Sequence, residues 1–257
     1  MHIFAHNLTG FPNLLHGFCG VPSTSPDALK NPQEASPYKA KNCKAALEAL
    51  GIQTPYVLLN QTHGTKAIEV TQNFLASYKE ENPPEGDILI TAEKNIAIGV
   101  RTADCGPLLW YENKKGIVAA THAGWRGAFK GVVEKTLQAI LDMDGKKENI
   151  FVALGPTIHA ANYDVGTDFE ENTLRANPAY KRFLLKKETR TTFDLPSFLM
   201  YQLKELNLPH TLWTGHNTFE KHFFSRRRSL AKKEYHGSNY SFIVQNKNHK
   251  KERLLFF

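Results

Sequence analysis

Two short stretches carry side chains able to do chemistry together. Val100-Arg-Thr-Ala-Asp-Cys-Gly-Pro-Leu-Leu-Trp110 holds Cys105, and Thr121-His-Ala-Gly-Trp-Arg-Gly127 holds His122. Cys105 closes an apolar run, Ile96-Ala-Ile-Gly-Val100, that reads as a buried strand. His122 ends a second run, Gly116-Ile-Val-Ala-Ala-Thr121, before a glycine-flanked turn into a helix. His63, in Leu58-Leu-Asn-Gln-Thr-His-Gly64, again stands where a strand-like run stops at a glycine. Side chains at strand ends can meet at one edge of a sheet. One Cys and two His would then supply three ligands and leave a fourth position open, as a catalytic zinc requires; a structural zinc is closed by four. Cys105 would bind as thiolate, because the metal removes the thiol proton. The same residues allow a second chemistry, with Cys105 as a nucleophile activated by His122 and no metal. Asp104 beside Cys105 is suited to orienting a site residue or accepting a proton, and equally to capping a turn. The catalytic candidates are therefore Cys105, His122 and Asp104.

A second set of residues suits an anion. Arg126 opens a predicted helix, whose free amides favour negative charge. Ser225-Arg-Arg-Arg228 offers Ser225, Arg227 and Arg228; the planar fork of arginine matches phosphate oxygens in pairs. The formal net charge of +7 arises in the last 37 residues, which hold ten basic and two acidic side chains. That excess is either a solvated tail or a local anion site around Ser225–Arg228. No nucleic-acid module is visible, so no specific nucleic-acid partner is expected. His159, Asn162 and Asp164 after Gly155-Pro156 either line a cleft or form a turn network. Trp125 and Phe129 suit a core or an aromatic wall.

These residues need elements to hold them. Residues 2–20 read as two short strands around Gly10-Phe-Pro12, and Val21–Ser36 as a loop. Lys39–Leu50 predicts a helix stopped by Gly51. Strands are predicted at Tyr56–Asn60, Lys66–Thr71, Gly86–Thr91 and Ile96–Thr102, with 72–85 a polar surface connection. Leu108–Glu112 and Gly116–Thr121 predict a hairpin. The longest helix is expected over Arg126–Leu141, where Val132, Val133, Leu137, Ile140 and Leu141 recur at helical spacing. A strand at Asn149–Leu154, helices at Asp168–Ala176 and Leu195–Leu206, and strands at Thr211–Thr214 and Tyr240–Val244 complete the order. Several strands occur in succession, which favours mixed sheets with helices packed outside, an α/β chain of the α+β type, over a doubly wound parallel sheet. GxGxxG and GxxxxGK[ST] loops are absent.

A chain of 257 residues, 41% hydrophobic and 22% charged, has the composition of an ordinary globular protein. Its three cysteines, Cys19, Cys43 and Cys105, form no CxxC pair, so a disulfide framework is not expected and a reducing, cytoplasmic compartment is. No apolar run approaches the ~18 residues of a membrane span. The polar segment from about residue 246 is expected to be basic and mobile, with Leu254-Leu-Phe-Phe257 available to dock.

At the chemical residues the chain resembles the YfiH-like proteins, also called the laccase-domain or multicopper polyphenol oxidase family. The matching segments are Gln61-Thr-His-Gly64, Gly86-Asp-Ile-Leu-Ile-Thr91, Thr102-Ala-Asp-Cys105, His122-Ala-Gly-Trp-Arg-Gly127, Leu154-Gly-Pro156 and Phe223-Phe-Ser-Arg-Arg-Arg228. The resemblance implies a single four-layer α/β/β/α domain over residues 1–257 and one zinc held by His63, Cys105 and His122. It implies phosphorolysis of purine nucleosides such as adenosine and inosine, with methylthioadenosine cleavage and adenosine deamination alongside. The implied partners are purine nucleosides and phosphate, and a monomer is expected. Alternatives are a copper-dependent polyphenol oxidase, a Cys-His hydrolase editing cell-wall precursors, and a nucleoside-binding protein without catalysis. Copper suits the same three ligands, but a laccase also needs a multi-histidine cluster, and no His-x-His occurs among the eleven histidines. The chain departs from the family pattern on the substrate side. Ala161 stands where a Cys is common, Trp213-Thr214 where Cys-Thr is common, Ser225-Arg-Arg-Arg228 for Ser-Tyr-Arg-Arg, and Gly237-Ser238 for Gly-Arg.

Overall fold

The computed structural model describes residues 1–21, 40–233 and 237–246. The chain begins with β1 (His2–Ile3), α1 (His6–Thr9), β2 (Leu14–Cys19), α2 (Ala40–Ala49), β3 (Tyr56–Val57) and β4 (Ala67–Glu69). Next come α3 (Gln72–Ser77), β5 (Ile88–Thr91), β6 (Ala97–Thr102), β7 (Gly106–Glu112), β8 (Ile117–Ala123), α4 (Trp125–Phe129) and α5 (Val132–Asp142). The second half holds β9 (Ile150–Leu154), β10 (Asp164–Val165), α6 (Thr167–Ala176), β11 (Leu184–Lys187) and β12 (Arg190–Phe193). It closes with α7 (Leu195–Glu205), β13 (His210–Trp213), α8 (Arg226–Lys232) and β14 (Asn239–Gln245).

Three mixed or antiparallel sheets result. A five-stranded sheet runs β1-β2-β14-β6-β3, a six-stranded one β13-β9-β7-β8-β5-β4, and a small one β10-β12-β11. Strands from both ends of the described chain meet in the first sheet, where β14 pairs antiparallel with β2 and β6. The expected mixed-sheet architecture is thus observed.

Strand periodicity explains the layers. On β7, Leu109 and Tyr111 enter the core shared by the two large sheets, together with Phe18, Ile98, Val100, Val118, Ala120 and Ile243. Leu108 and Trp110 alternate to the opposite face and pack with Val132, Val133, Leu137 and Ile140 of α5 and Phe198, Leu199 and Leu203 of α7. The outer face of the five-stranded sheet is covered by Cys43, Leu47 and Leu50 from α2 and its end, against Ala97, Phe242 and Val244. The order is helix, sheet, sheet, helix. Strands buried on both faces read as continuous apolar runs, which is why β7, β8 and β9 were legible.

The departures have local causes. The helix expected over Arg126–Leu141 is two helices, because Gly131 takes a left-handed conformation (φ 85°) between α4 and α5. The 72–85 connection contains α3, capped by Thr71 Oγ1 accepting from the Phe74 amide at 3.1 Å. The β11–β12 hairpin escaped expectation because its residues are largely polar and exposed. The loop expected at Val21–Ser36 lies, past Val21, outside the described residues, as does the basic segment beyond 246. Among the described residues no helix is long and apolar enough to cross a membrane.

His16 on β2 is buried, and its Nε2 accepts the Ala5 amide at 2.9 Å. Burial pushes its pKa down to about 4. Between pH 6.5 and 4 the unfolded chain binds a proton that the folded imidazole refuses. Its stabilisation is therefore complete above 6.5 and is lost as pH falls towards 4. The loss amounts to about 3 kcal/mol at about 1.36 kcal/mol per unit. Gln at position 16 keeps an acceptor for Ala5 but cannot titrate. Urea unfolding of wild type and His16→Gln at pH 7 and 4.5 should show a smaller acid loss in the variant; equal losses would exclude a buried neutral His16.

Candidate metal centre

The chain leaves the five-stranded sheet at the end of β6 and enters the six-stranded sheet at β7 through Ala103-Asp-Cys105 alone. Such a tight crossing needs an unusual backbone, and Asp104 supplies it at φ 96°. Cys105 is thereby set at the end of the sandwich, where the sheets meet. On β8, Val118 and Ala120 face the inter-sheet core, and alternation puts His122 on the same side, buried. His63 arrives on the turn after Asn60, in a left-handed conformation (φ 58°). Gln61 anchors that turn to β6, its amide accepting from Arg101 N at 2.8 Å and donating to Arg101 O at 2.7 Å.

The three side chains converge as strand-end reasoning expected. The His63 and His122 rings lie 4.8 Å apart and nearly perpendicular. His63 Nε2 is 3.9 Å from Cys105 Sγ, and one ligand atom from each residue falls within 4.8 Å of the others. Bonds of the usual zinc lengths separate tetrahedral ligands by about 3.5 Å, so a small contraction would close the site. The backbone is shaped to make room for the cluster. A Cβ on Gly124 would stand 2.9 Å from both Cys105 Sγ and His63 Cδ2. Two nitrogens and a thiolate fit zinc, and copper as well.

Asp87, just before β5, lies at the electrostatic centre of this group and is fully buried. Its carboxylate is 2.7 Å from His122 Nδ1 and accepts from the amides of Thr62, His63 and Gly64 and from the Thr62 hydroxyl. Burial would raise its pKa, but these bonds and the His122 charge outweigh that and hold it at about 2. Burial also opposes ionisation of Cys105, yet the two imidazoles pull its thiol down to about 6. His122, against the same burial, is lifted to about 9 by Cys105 and Asp87. The two imidazoles thus favour the thiolate over the thiol, which suits a metal ligand and a nucleophile alike.

Both carboxylate oxygens of Asp104 are hydrogen-bonded: Oδ1 accepts from the Thr218 hydroxyl and Oδ2 from the Arg227 amide, each at 2.8 Å, while its carbonyl accepts from Thr157 Oγ1 and Ile158 N. It ties three loops around Cys105. Ser225 is buried as the N-cap of α8, accepting from Arg228 N. The Arg228 guanidinium donates to the carbonyls of Thr218, Phe219, Glu220 and Phe223, which makes it a loop clamp. Arg126 and Arg227 are exposed. Arg126 lies over the Trp125 ring at 4.3 Å, and Arg227 over Tyr163 at 5.0 Å. Arg126 opens only the five-residue α4, so the helix contribution expected there is small.

The Tyr163 hydroxyl has its pKa raised by burial, with Cys105 and Asp104 reinforcing and Arg227 and Arg126 opposing. Asn162 and Asp164 follow the turn-network alternative: Asn162 accepts from Asn217 at 2.8 Å, and Asp164 pairs with Arg190. His159 packs edge-on against Trp213 at 5.1 Å. Trp125 and Phe129 join an aromatic cluster with Phe169, Phe193 and Phe198. Asp87 and Tyr163 were not singled out from sequence. A single Asp before an apolar strand reads as a turn residue, and only its place in Gly86-Asp-Ile-Leu-Ile-Thr91 hinted otherwise.

Fold and site together define an α/β/β/α sandwich with one cysteine and two histidines converging at one end of its sheets. The chain belongs to the family described as multi-copper polyphenol oxidoreductase laccase, which matches residues 31–246. It is 31% identical over 188 residues to a purine nucleoside phosphorylase of Haemophilus influenzae, covering 71% of this chain and 72% of that protein. A purine nucleoside phosphorylase of Rickettsia conorii is 29% identical over 187 residues, 71% and 75% of the two chains. The crystal structure of a Bacillus licheniformis hypothetical protein, YfiH, shares the fold with TM-score 0.75 at 23% identity, over 91% of this chain and 93% of that one. YlmD from Geobacillus stearothermophilus superposes with TM-score 0.73 at 22% identity, over 95% and 94%.

Three ligand atoms in one place predict about one metal ion per chain. His63→Ala, Cys105→Ala and His122→Ala should each lose it while remaining folded by circular dichroism. Gly124→Ala, whose backbone is ordinary for alanine, should weaken binding by crowding alone. Elemental analysis after dialysis checks this; full metal in all four variants would remove the site.

Proposed function

We propose that the protein is a zinc-dependent purine nucleoside phosphorylase acting on adenosine and inosine, with methylthioadenosine phosphorolysis and adenosine deamination at the same centre. The observation that carries the reading is the convergence of His63, Cys105 and His122, with the exposed Arg227 guanidinium over Tyr163 on a helix whose Arg227 amide is tied to Asp104, the neighbour of Cys105. An exposed arginine near three candidate metal ligands suits an anionic co-substrate beside a metal ion. The names of the relatives support the same activity.

In phosphorolysis a phosphate oxygen bonds to the sugar carbon as the bond to the base breaks, and the purine leaves with the electron pair. Arg126 and Arg227 would hold the phosphate oxygens, and the exposed guanidiniums leave its attacking oxygen accessible. Asp104 would position Arg227 through its backbone amide, keeping phosphate and metal centre in register. Asp104 therefore acts as a positioning residue in this scheme. The zinc, when bound through His63, Cys105 and His122, supplies a Lewis acid with an open position, able to polarise a substrate oxygen or activate water for deamination. A laccase reading needs a further metal cluster. Among the described residues the His63, Cys105 and His122 group is the one set of three or more such side chains close enough to hold an ion.

Zinc-loaded protein should release free base from inosine or adenosine only with phosphate present, followed by chromatography. An oxygen electrode with a phenol tests the oxidase, amino-acid release from a cell-wall precursor tests the hydrolase, and saturable nucleoside affinity with no turnover marks a binding protein. Absence of phosphate-dependent base release would overturn the proposal. Arg126→Ala and Arg227→Ala should each raise the KM for phosphate about tenfold or more, the loss of one charge-assisted bond. Arg228→Ala should lower the melting temperature instead, because it frees the 218–223 carbonyls.

A further inference from the structure

We infer that Asp87 is the positioning residue that assembles the metal centre, one carboxylate fixing both histidine ligands. It holds His122 through the ring and His63 through the backbone. This rests on His63, Cys105 and His122 being the ligands, and it is independent of the substrate.

The His122 side of the argument is one of tautomer. Asp87 Oδ1 lies 2.7 Å from His122 Nδ1, with the carboxylate fully buried and the ring nearly so. A buried carboxylate accepts and does not donate, so the Nδ1 position must carry the hydrogen. The imidazole lone pair is then confined to Nε2, on the far side of the ring from Asp87. A carboxylate partner also raises the basicity of that nitrogen and stops the ring from turning. Without Asp87 the ring is free to present either nitrogen.

The His63 side is one of backbone shape. His63 adopts φ 58°, which costs a residue with a Cβ roughly 1–2 kcal/mol. Three successive amides offset that cost by closing on Asp87, from Thr62 N at 3.2 Å, His63 N at 3.0 Å and Gly64 N at 2.7 Å. The Thr62 hydroxyl adds a fourth donor at 3.1 Å. Successive amides wrapped on one anion form a nest, and only a full negative charge satisfies them all. The carboxylate is itself held by the main chain, since Asp87 N donates to Lys66 O and Asp87 O accepts from His122 N. Asn is the same size but must turn its NH2 either on the Oδ1 donors, His63 N and His122 Nδ1, or on the Oδ2 donors in the 62–64 turn.

The test uses the full chain stripped of metal and titrated with zinc alone against a chromophoric chelator, well below its melting temperature. Asp87→Asn should weaken zinc 10–100-fold, the usual effect of removing such a partner. Its cobalt-loaded form should show altered d–d bands as His122 leaves the coordination. Thr62→Val removes one contact to the same carboxylate and spares His122, so its affinity should stay within about threefold of wild type. A merely structural Asp87 would lower the melting temperature of the metal-free protein and leave the affinity of folded molecules unchanged; that result overturns the inference. Should Asp87→Asn not fold, nitrogen NMR of zinc-loaded wild type decides. His122 protonated at Nδ1 and metal-bound at Nε2 is expected, and metal at Nδ1 overturns it. Wild type that binds no zinc at all overturns the ligand assignment, and this inference with it.

Discussion

A carboxylate taken wholly out of water must find donors for both oxygens, and Asp87 finds five within the turn at 62–64 and on β8. That requirement organises one end of the molecule. It draws the 62–64 turn against the start of β5 and holds the His122 ring on β8. Two chain segments about 60 residues apart meet there because one buried charge cannot be satisfied by either alone. The charges beyond it follow in sequence. Asp87 supports a proton on His122, and His122 with His63 supports a thiolate at Cys105, in each case against burial.

Asp104 plays the matching part on the other side of Cys105. Its carboxylate and carbonyl gather the 157–158, 218 and 227 segments, so the loops that border the metal centre are set by hydrogen bonds to the residue beside a ligand. Arg228 and Ser225 complete that knot by satisfying the 218–223 carbonyls and the first amides of α8. The basic run therefore divides by role. Arg228 turns inward on carbonyls, whereas Arg227 is exposed and lies over the Tyr163 ring. Neighbouring arginines in a helix cannot face the same way, since successive residues are about 100° apart around its axis.

The family description speaks of several coppers, while the described residues bring together one group of two histidines and a cysteine. Two nitrogens and a sulfur are a borderline-soft set that discriminates poorly between zinc and copper.

Much of the architecture was legible in the chain. Apolar runs such as Gly106–Glu112 and Ile117–Ala123 are buried on both faces, so their hydrophobicity alone marks them as central strands, and Cys105 and His122 at their ends, with His63, mark a candidate metal site. The helical spacing of Val132, Val133, Leu137 and Ile140 likewise marked the face that packs on the sheet. Hidden from local reading were the features that depend on what lies opposite. The Gly131 break depends on a backbone angle, and α3 on one threonine cap. The roles of Asp87, Asp104, Tyr163 and Arg228 exist only through partners up to 123 residues away. Residue type and spacing determined which atoms could bind a metal, because ligand chemistry belongs to the side chain itself. Which of the other charged residues serve the site was decided by the tertiary structure, because a carboxylate or guanidinium takes its role from the donors, acceptors and rings that folding places against it.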